Sequence, residues 1–400
     1  MAKELVYFQN FAKLKDTKVA FNDITVIAGK PGTGKSYVMK FMYAIDEAFK
    51  LKKNSLALKS TKQELEKLLK ENKLLKENNK NFFSRIFALS QSKKFNDIKK
   101  NINSIEDKLK DMEYFLENED SCNRLYTSEL SNILNAIFSN KIQISKTFSC
   151  ETVNMRIQCN DNSLDVVLDC LKDNDNGKTN IVINEKLLQE NIFVETPLIL
   201  EFKKFMKREE GKTPYHIESL LNILDTDYSF TNEEQEKFIK YFTQKSKEII
   251  KGNIESAGDS FIFNKEYDKN YDIVNASSGT KSIGLLQYLV TNKALKKGSV
   301  LYWEEPEVHL HPEWQLRMIE LFIELMNAGV KIIFSTHSPY MCDYLNAISK
   351  KQKFSDRVSF NLFKEEKGIV ENYILENQKD WNKIQAELLD PLEEIMWEYV

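Results

Sequence analysis

Three patterns of apolar and polar positions alternate along the 400-residue chain. The first is a short apolar run closed by turn residues. "LVYFQNF" near the start, "ITVIA" at 24–28, "SVLYWEE" at 299–305 and "VKIIFSTHSP" at 330–339 have this form and read as β-strands. The second is an apolar stripe at helical spacing. "SYVMKFMYAIDEAF" follows "ITVIA" after a glycine-rich loop, and "TNEEQEKFIKYFTQKSKEII" and "PEWQLRMIELFIELMNAG" have the same amphipathic form. "YDIVNASSGTKSIGLLQYLVTNKAL" gives strand, loop and helix in turn. Between 125 and 270 the segments "ETVNMRIQC", "SLDVVLDC", "TNIVINEK" and "IFVETPLIL" read as short strands separated by turn signals. "RVSFNLFKEEKGIVENYIL" reads as a hairpin and "DPLEEIMWEY" as a terminal helix.

The third pattern occupies 50–120. Phe95, Ile98, Ile102, Ile105, Leu109, Met112 and Leu116 keep alternating spacings of three and four, a heptad seam. Leu58, Leu65, Leu68 and Leu75 fit a second seam, with Asn72 as its polar member. The two arms predict an antiparallel coiled-coil hairpin, each arm reaching roughly 38 Å. Its expected tip, "FFSRIFALS", gathers Phe82, Phe83, Ile86, Phe87 and Leu89 into an apolar stripe of the kind that meets a partner.

Charge sharpens that segment. The chain as a whole carries −3, which predicts no general attraction to nucleic acid, yet 50–100 holds 15 basic and 5 acidic side chains. A net +10 arm on an acidic body is a possible DNA or RNA contact. The five cysteines form no CxxC pair, which suits reduced thiols in a cytoplasmic protein. The N-terminus lacks the apolar core of a signal peptide and no run is long enough to span a membrane.

The chemistry begins at "GKPGTGKS". Gly29, Lys30, Pro31, Gly32, Thr33, Gly34, Lys35 and Ser36 complete the GxxxxGK[ST] pattern between a buried strand and a helix. That context suits phosphate binding by backbone N–H groups and the helix N-terminus, with Lys35 on the β- and γ-phosphates and Ser36 on Mg²⁺. Such a loop needs an acid at the end of a second buried strand. "VLYW" runs into Glu304, which suits Mg²⁺, and Glu305, which suits the attacking water. His309 and His311 lack the spacing of a zinc site and read as loop residues serving structure or a subunit interface. "NASSGTKS" opens a helix, Ser278 lying 26 residues before Glu304. His337 ends a strand 32 residues after Glu305, where an imidazole can hydrogen-bond a γ-phosphate.

The ordered set of P-loop, "ASSGTKS", "WEEPEVHLHP" and "STHSP" resembles the ABC-type ATPase heads. It is most similar to the bacterial branch that includes the overcoming-lysogenization-defect nucleases and the ATPase subunits of anti-phage systems such as PARIS and Septu. The likeness to SMC-type chromosome-maintenance heads is more distant. The resemblance implies an α/β fold, a mixed sheet with an antiparallel β lobe. It also implies division into 1–49, the head with its P-loop; 50–120, an inserted coiled-coil hairpin; and 121–400, the rest of the head. It implies that Lys35, Glu305 and His337 act catalytically, that Ser36 and Glu304 hold Mg²⁺, and that Ser278 and Gly279 reach the ATP of a second copy. The implied partners are a homo-oligomer, a separate nuclease or toxin effector and a phage-derived trigger. Departures are Glu304 where the family usually has Asp, which predicts slow hydrolysis, and Thr280 for the second signature glycine. No Q-loop glutamine is evident, with Gln158 as the candidate. The 60 or so residues after "STHSP" are too few for the Toprim nuclease domain of the lysogenization-defect proteins.

Overall fold

The computed structural model describes residues 4–47, 130, 132–134, 136–138, 152–159, 162–169, 191–205, 213–226, 228, 232–375 and 378–389; at 152–159, 162–169, 378–380 and 385 only the backbone is described. The hairpin expected at 50–120, the strand expected in "TNIVINEK" and the terminal helix expected in "DPLEEIMWEY" lie outside these residues.

Thirteen strands are described: β1 (Glu4–Phe11), β2 (Leu14–Phe21), β3 (Ile24–Gly29), β4 (Thr152–Cys159), β5 (Asn162–Asp169), β6 (Asn191–Val194), β7 (Gly252–Ala257), β8 (Ser260–Lys265), β9 (Tyr271–Asp272), β10 (Val300–Glu304), β11 (Lys331–Thr336), β12 (Val358–Glu366) and β13 (Ile369–Ile374). Ten join one sheet in the order β5-β4-β1-β2-β13-β12-β3-β11-β10-β6, and β7-β8-β9 make a small antiparallel sheet. The large sheet changes character along its width. From β12 to β6 neighbouring strands are parallel, whereas β5, β4, β1 and β2 pair antiparallel. This is the mixed α/β architecture with an antiparallel lobe that the sequence predicts.

The parallel half is covered on both faces, which is why "ITVIAG" is buried at every position. On one face Val26, Leu301, Trp303 and Phe334 join the main core with the helices Ser278–Thr291 and Pro312–Asn327. On the other, Tyr43 of the helix 35–47 packs on Phe193 and Tyr302, at ring separations of 5.3 and 5.8 Å. Strand alternation therefore puts Tyr302 and Glu304 on the face of the helix 35–47, and Leu301 and Trp303 on the opposite face.

Local sequence sets the helix ends. Asn232 accepts from Gln235 N, Glu233, Glu234 and Glu236 fill the first turn, and left-handed Lys251 (φ 55°) closes the helix Glu233–Ile250. "IFVETPLIL" does not continue as one strand. It ends at Val194; Pro197 brings no N–H, and Thr196 starts a turn with its carbonyl and hydroxyl that leads into Ile199–Phe202 as helix. Elements without a forecast include β2, the β7–β8 hairpin and the helices Tyr215–Asp225, Pro339–Lys351 and Gln378–Leu388. Among the described residues no helix is long and apolar enough to cross a membrane.

Candidate functional site

Four adjacent parallel strands, β3, β11, β10 and β6, end on the same side, and the glycine loop, Glu304, Glu305 and His337 lie at the ends of three of them. Ligands of open α/β sheets bind at such carboxyl ends. β3 leads into the glycine loop. Gly29 has φ +145°, and a Cβ there would overlap the Phe363 carbonyl of β12. Gly32 (φ +79°) and Gly34 (φ +87°) have open space but left-handed backbones. Thr33 closes the loop from inside, its hydroxyl donating to Lys30 O at 2.8 Å. Lys30 points outward and pairs with Glu387 of the helix Gln378–Leu388 at 3.3 Å.

The Lys35 ammonium lies inside the loop. It donates to Gly29 O and Lys30 O, both at 2.9 Å, and stands 3.2 Å from His337 Nε2. Burial lowers its pKa to about 8, partly offset by the charges of Glu305, Glu307 and Glu304.

β10 supplies the carboxylates. Glu304 keeps the strand's alternation and faces the helix 35–47, where the Ser36 hydroxyl is its neighbour and Lys40 Nζ lies 4.0 Å away. Burial raises its pKa to about 7. Glu305 then takes a left-handed backbone (φ +47°) just before Pro306. That turn swings its side chain off the strand's face to within 2.9 Å of His337 Nε2, at the end of β11. A single imidazole nitrogen thus faces both an ammonium and a carboxylate, and its tautomer decides which it serves. With the proton on Nδ1 it accepts from Lys35; with the proton on Nε2 it donates to Glu305. Burial, then the Lys35 charge, lowers the His337 pKa.

Two further carboxylates escaped the sequence reading. Glu307 Oε1 accepts the His337 backbone N–H at 2.6 Å. Glu195 follows β6, whose Val194 pairs with Trp303, so it sits beside Glu304. It bridges Lys40 at 3.0 Å and His216 Nε2 at 2.6 Å. The His216 hydrogen bond, with Lys40 behind it, lowers the Glu195 pKa to about 2 against the opposing effect of burial. Gln158 occupies no comparable place: β4 lies between β5 and β1, with six strands between it and β10 in the sheet order. The "VETP" turn, a carboxylate and a proline straight after an apolar run, was the available signal for Glu195.

Among the described residues, no hydrogen bond or ion pair links Ser278 or Gly279 to the glycine loop of the same chain. They open the helix Ser278–Thr291, capped by Ser277, and Gly279 lets the helix approach His309 O and Trp314, at 3.3 Å from a would-be Cβ. His311 caps the helix Pro312–Asn327, its Nδ1 accepting from Glu313 N at 3.3 Å, a structural duty.

The donor set suits Mg²⁺. The Ser36 hydroxyl and a carboxylate meet, and Glu304 Oε1 is buried without a hydrogen-bond partner among the described residues. Hard oxygen ligands from a loop hydroxyl and one acid, completed by phosphate and water, match the way this ion is held.

A family model described as AAA ATPase domain matches residues 3–342. Similar solved structures include an Smc head bound to the C-winged helix domain of ScpA, with 11% identity, TM-score 0.45, and 96% of this chain and 100% of that one covered. An SMC head domain from Thermotoga maritima matches with 12% identity, TM-score 0.41, and 94% and 100% covered. An Smc head with an extended coiled coil, bound to the C-terminal domain of ScpA derived from Pyrococcus furiosus, matches with 12% identity, TM-score 0.42, and 96% and 98% covered. At that level of likeness nothing about function transfers. No curated protein matches the sequence.

Proposed function

The chain belongs to the AAA ATPase domain family, and from that premise we propose that it is an ABC-type head that binds ATP with Mg²⁺ and hydrolyses it. The observation that carries this reading is the convergence of Lys35, Glu305 and His337, with His337 Nε2 at 3.2 Å from the ammonium and 2.9 Å from the carboxylate. The loop Gly29–Ser36 binds the phosphates through backbone N–H groups, and Lys35 turns from its own loop carbonyls to the β- and γ-phosphate oxygens. Ser36 and Glu304 would hold Mg²⁺, which would supply charge neutralisation to the phosphates. Glu305 orients a water and accepts its proton as the water oxygen bonds the γ-phosphorus. The bond to the β–γ bridging oxygen breaks, giving ADP and phosphate. His337 donates a hydrogen bond to the γ-phosphate oxygens. Ser278 and Gly279 at a helix N-terminus serve the nucleotide of a second copy.

The same reading extends to biology through the motif resemblance. The chain is the sensor subunit of an anti-phage complex, with 50–120 as an inserted coiled-coil hairpin, and it controls a separate nuclease or toxin. The experiment is purification of Glu305→Gln from the native host with ATP and high salt, followed by identification of what accompanies it. A stoichiometric nuclease-like or toxin-like protein supports the defence reading. DNA without a protein partner overturns it in favour of a DNA clamp, for which the +10 charge of 50–100 would be the contact.

A further inference from the structure

The mechanism above leaves Glu307 without a task. A carboxylate drawn out of water is costly unless something needs it. Glu307 Oε2 is buried without a hydrogen-bond partner among the described residues, and burial raises the pKa of the group. Its other oxygen, Oε1, has a specific duty, a 2.6 Å hydrogen bond from the backbone N–H of His337. That N–H belongs to neither element around it: β11 ends at Thr336 and the next helix starts at Pro339. A buried N–H between elements needs an acceptor from elsewhere.

The surrounding bonds show what this contact fixes. Glu305 N donates to both Ser335 O and Ser335 Oγ at 3.2 Å. Ser338 N donates to Thr336 Oγ1 at 2.9 Å, and Ser338 Oγ donates to Gln315 Oε1 at 2.5 Å. The turns after β10 and β11 are therefore stitched to each other before His337, while Ser338 beyond it is tied to Thr336 and to Gln315 of the helix Pro312–Asn327. Glu307 makes the stitch on the residue that carries the imidazole, two positions beyond the carboxylate that the imidazole meets.

We propose that Glu307 is a positioning residue: by accepting the His337 N–H it holds the imidazole between Glu305 and Lys35, and hydrolysis depends on its reach rather than its charge. The proposal rests on the ATPase reading, and the test separates the two. Glu307→Gln keeps the length and an oxygen acceptor but loses the charge. Glu307→Asp keeps the charge but is one methylene short. With the full chain and Mg²⁺-ATP, Glu307→Gln is expected to stay within about threefold of the parent kcat. Glu307→Asp is expected to lose about tenfold or more in kcat with KM for ATP nearly unchanged, because misplacing a catalytic group costs rate more than binding. The reverse order, equal loss in both variants, or no loss in either overturns the proposal.

A second readout needs no turnover. The chain has four histidines, so the ¹⁵N imidazole signals of His337 can be assigned with His337→Gln. They should move in Glu307→Asp and stay in Glu307→Gln; unmoved signals in both variants overturn the proposal. A parent protein without ATPase activity would refute the ATPase reading, while the imidazole spectra still decide the geometry.

Discussion

Lys35 has three donors, directed to two loop carbonyls and an imidazole, within reach of three carboxylates. Replacing it with alanine removes the one cation inside the loop. Charge-assisted hydrogen bonds are each worth about 1.5–3 kcal/mol, so Lys35→Ala should weaken ATP binding by about tenfold to a hundredfold or more. The lowered pKa adds a pH signature. On the proposed function the ammonium binds phosphate, so nucleotide affinity should fall as pH rises through about 8. Stability moves the other way: between about 8 and the unfolded value of 10.5 the unfolded chain holds more protons, and this group's contribution rises with pH. Calorimetric titration with a non-hydrolysable ATP analogue at pH 7 and pH 9 checks the affinity, with Lys35→Arg as the variant that should lack the fall. An equal slope in parent and Lys35→Arg would remove Lys35 as its source.

Among elements, β3 is pinned against β12. A Cβ at Gly29 meets backbone of β12, which cannot move without breaking the β3–β12 ladder. Gly29→Ala should cost on the order of 2 kcal/mol or more in urea unfolding, and Gly32→Ala, left-handed but unobstructed, nearer 1 kcal/mol. The helix 35–47 carries a different constraint. Asp46 is half-buried with its Oδ2 accepting from Tyr302 Oη at 2.5 Å, and desolvation raises its pKa to about 7. The folded chain keeps this proton between about 4 and 7 while the unfolded chain releases it, so this contribution to stability declines as pH rises across that window. Asp46→Asn should therefore gain on the parent from pH 5 to pH 8, by on the order of 1–3 kcal/mol. Denaturant midpoints at both pH values measure it, and a constant difference would reject buried ionisation as the cause.

Legibility of elements followed the same physics. "ITVIA", "VLYW" and "KIIF" were readable because strands covered on both faces need continuous apolar runs. The helix Pro339–Lys351 and the β7–β8 hairpin, "GNIESAGDSFIFNK", were not, because their polar positions dilute the pattern and their ends rest on Ser338 and a turn at Gly258. Lys35, Glu304, Glu305 and His337 were legible as motif members at strand ends. Glu195 was hidden because its partners are made by folding: Lys40 lies 155 residues before it, and His216 is on another helix. Glu307 was hidden because its partner is a backbone N–H.

For the whole molecule the open question is where Ser278 and Gly279 do their work. They sit at the N-terminus of a helix capped by Ser277, an arrangement that favours phosphate, on an element distinct from the strand ends that carry the rest of the site. A second copy can supply them only if two heads close on nucleotide. Pairing should then need three things: ATP, an intact loop and an unobstructed Ser278. Glu305→Gln with Mg²⁺-ATP should sediment as a dimer or larger at concentrations where the ADP-bound form is half that mass. Adding Lys35→Ala should abolish the shift by removing nucleotide. Adding Ser278→Arg should abolish it while leaving ATP affinity in the single head within about twofold, since the change lies outside the nucleotide loop of its own chain. The combination discriminates, because a variant that binds ATP and stays small locates the defect at the contact between copies. If Ser278→Arg still assembles with ATP, the helix start is not part of that contact, and the two-headed arrangement inferred from the motif order is wrong for this chain.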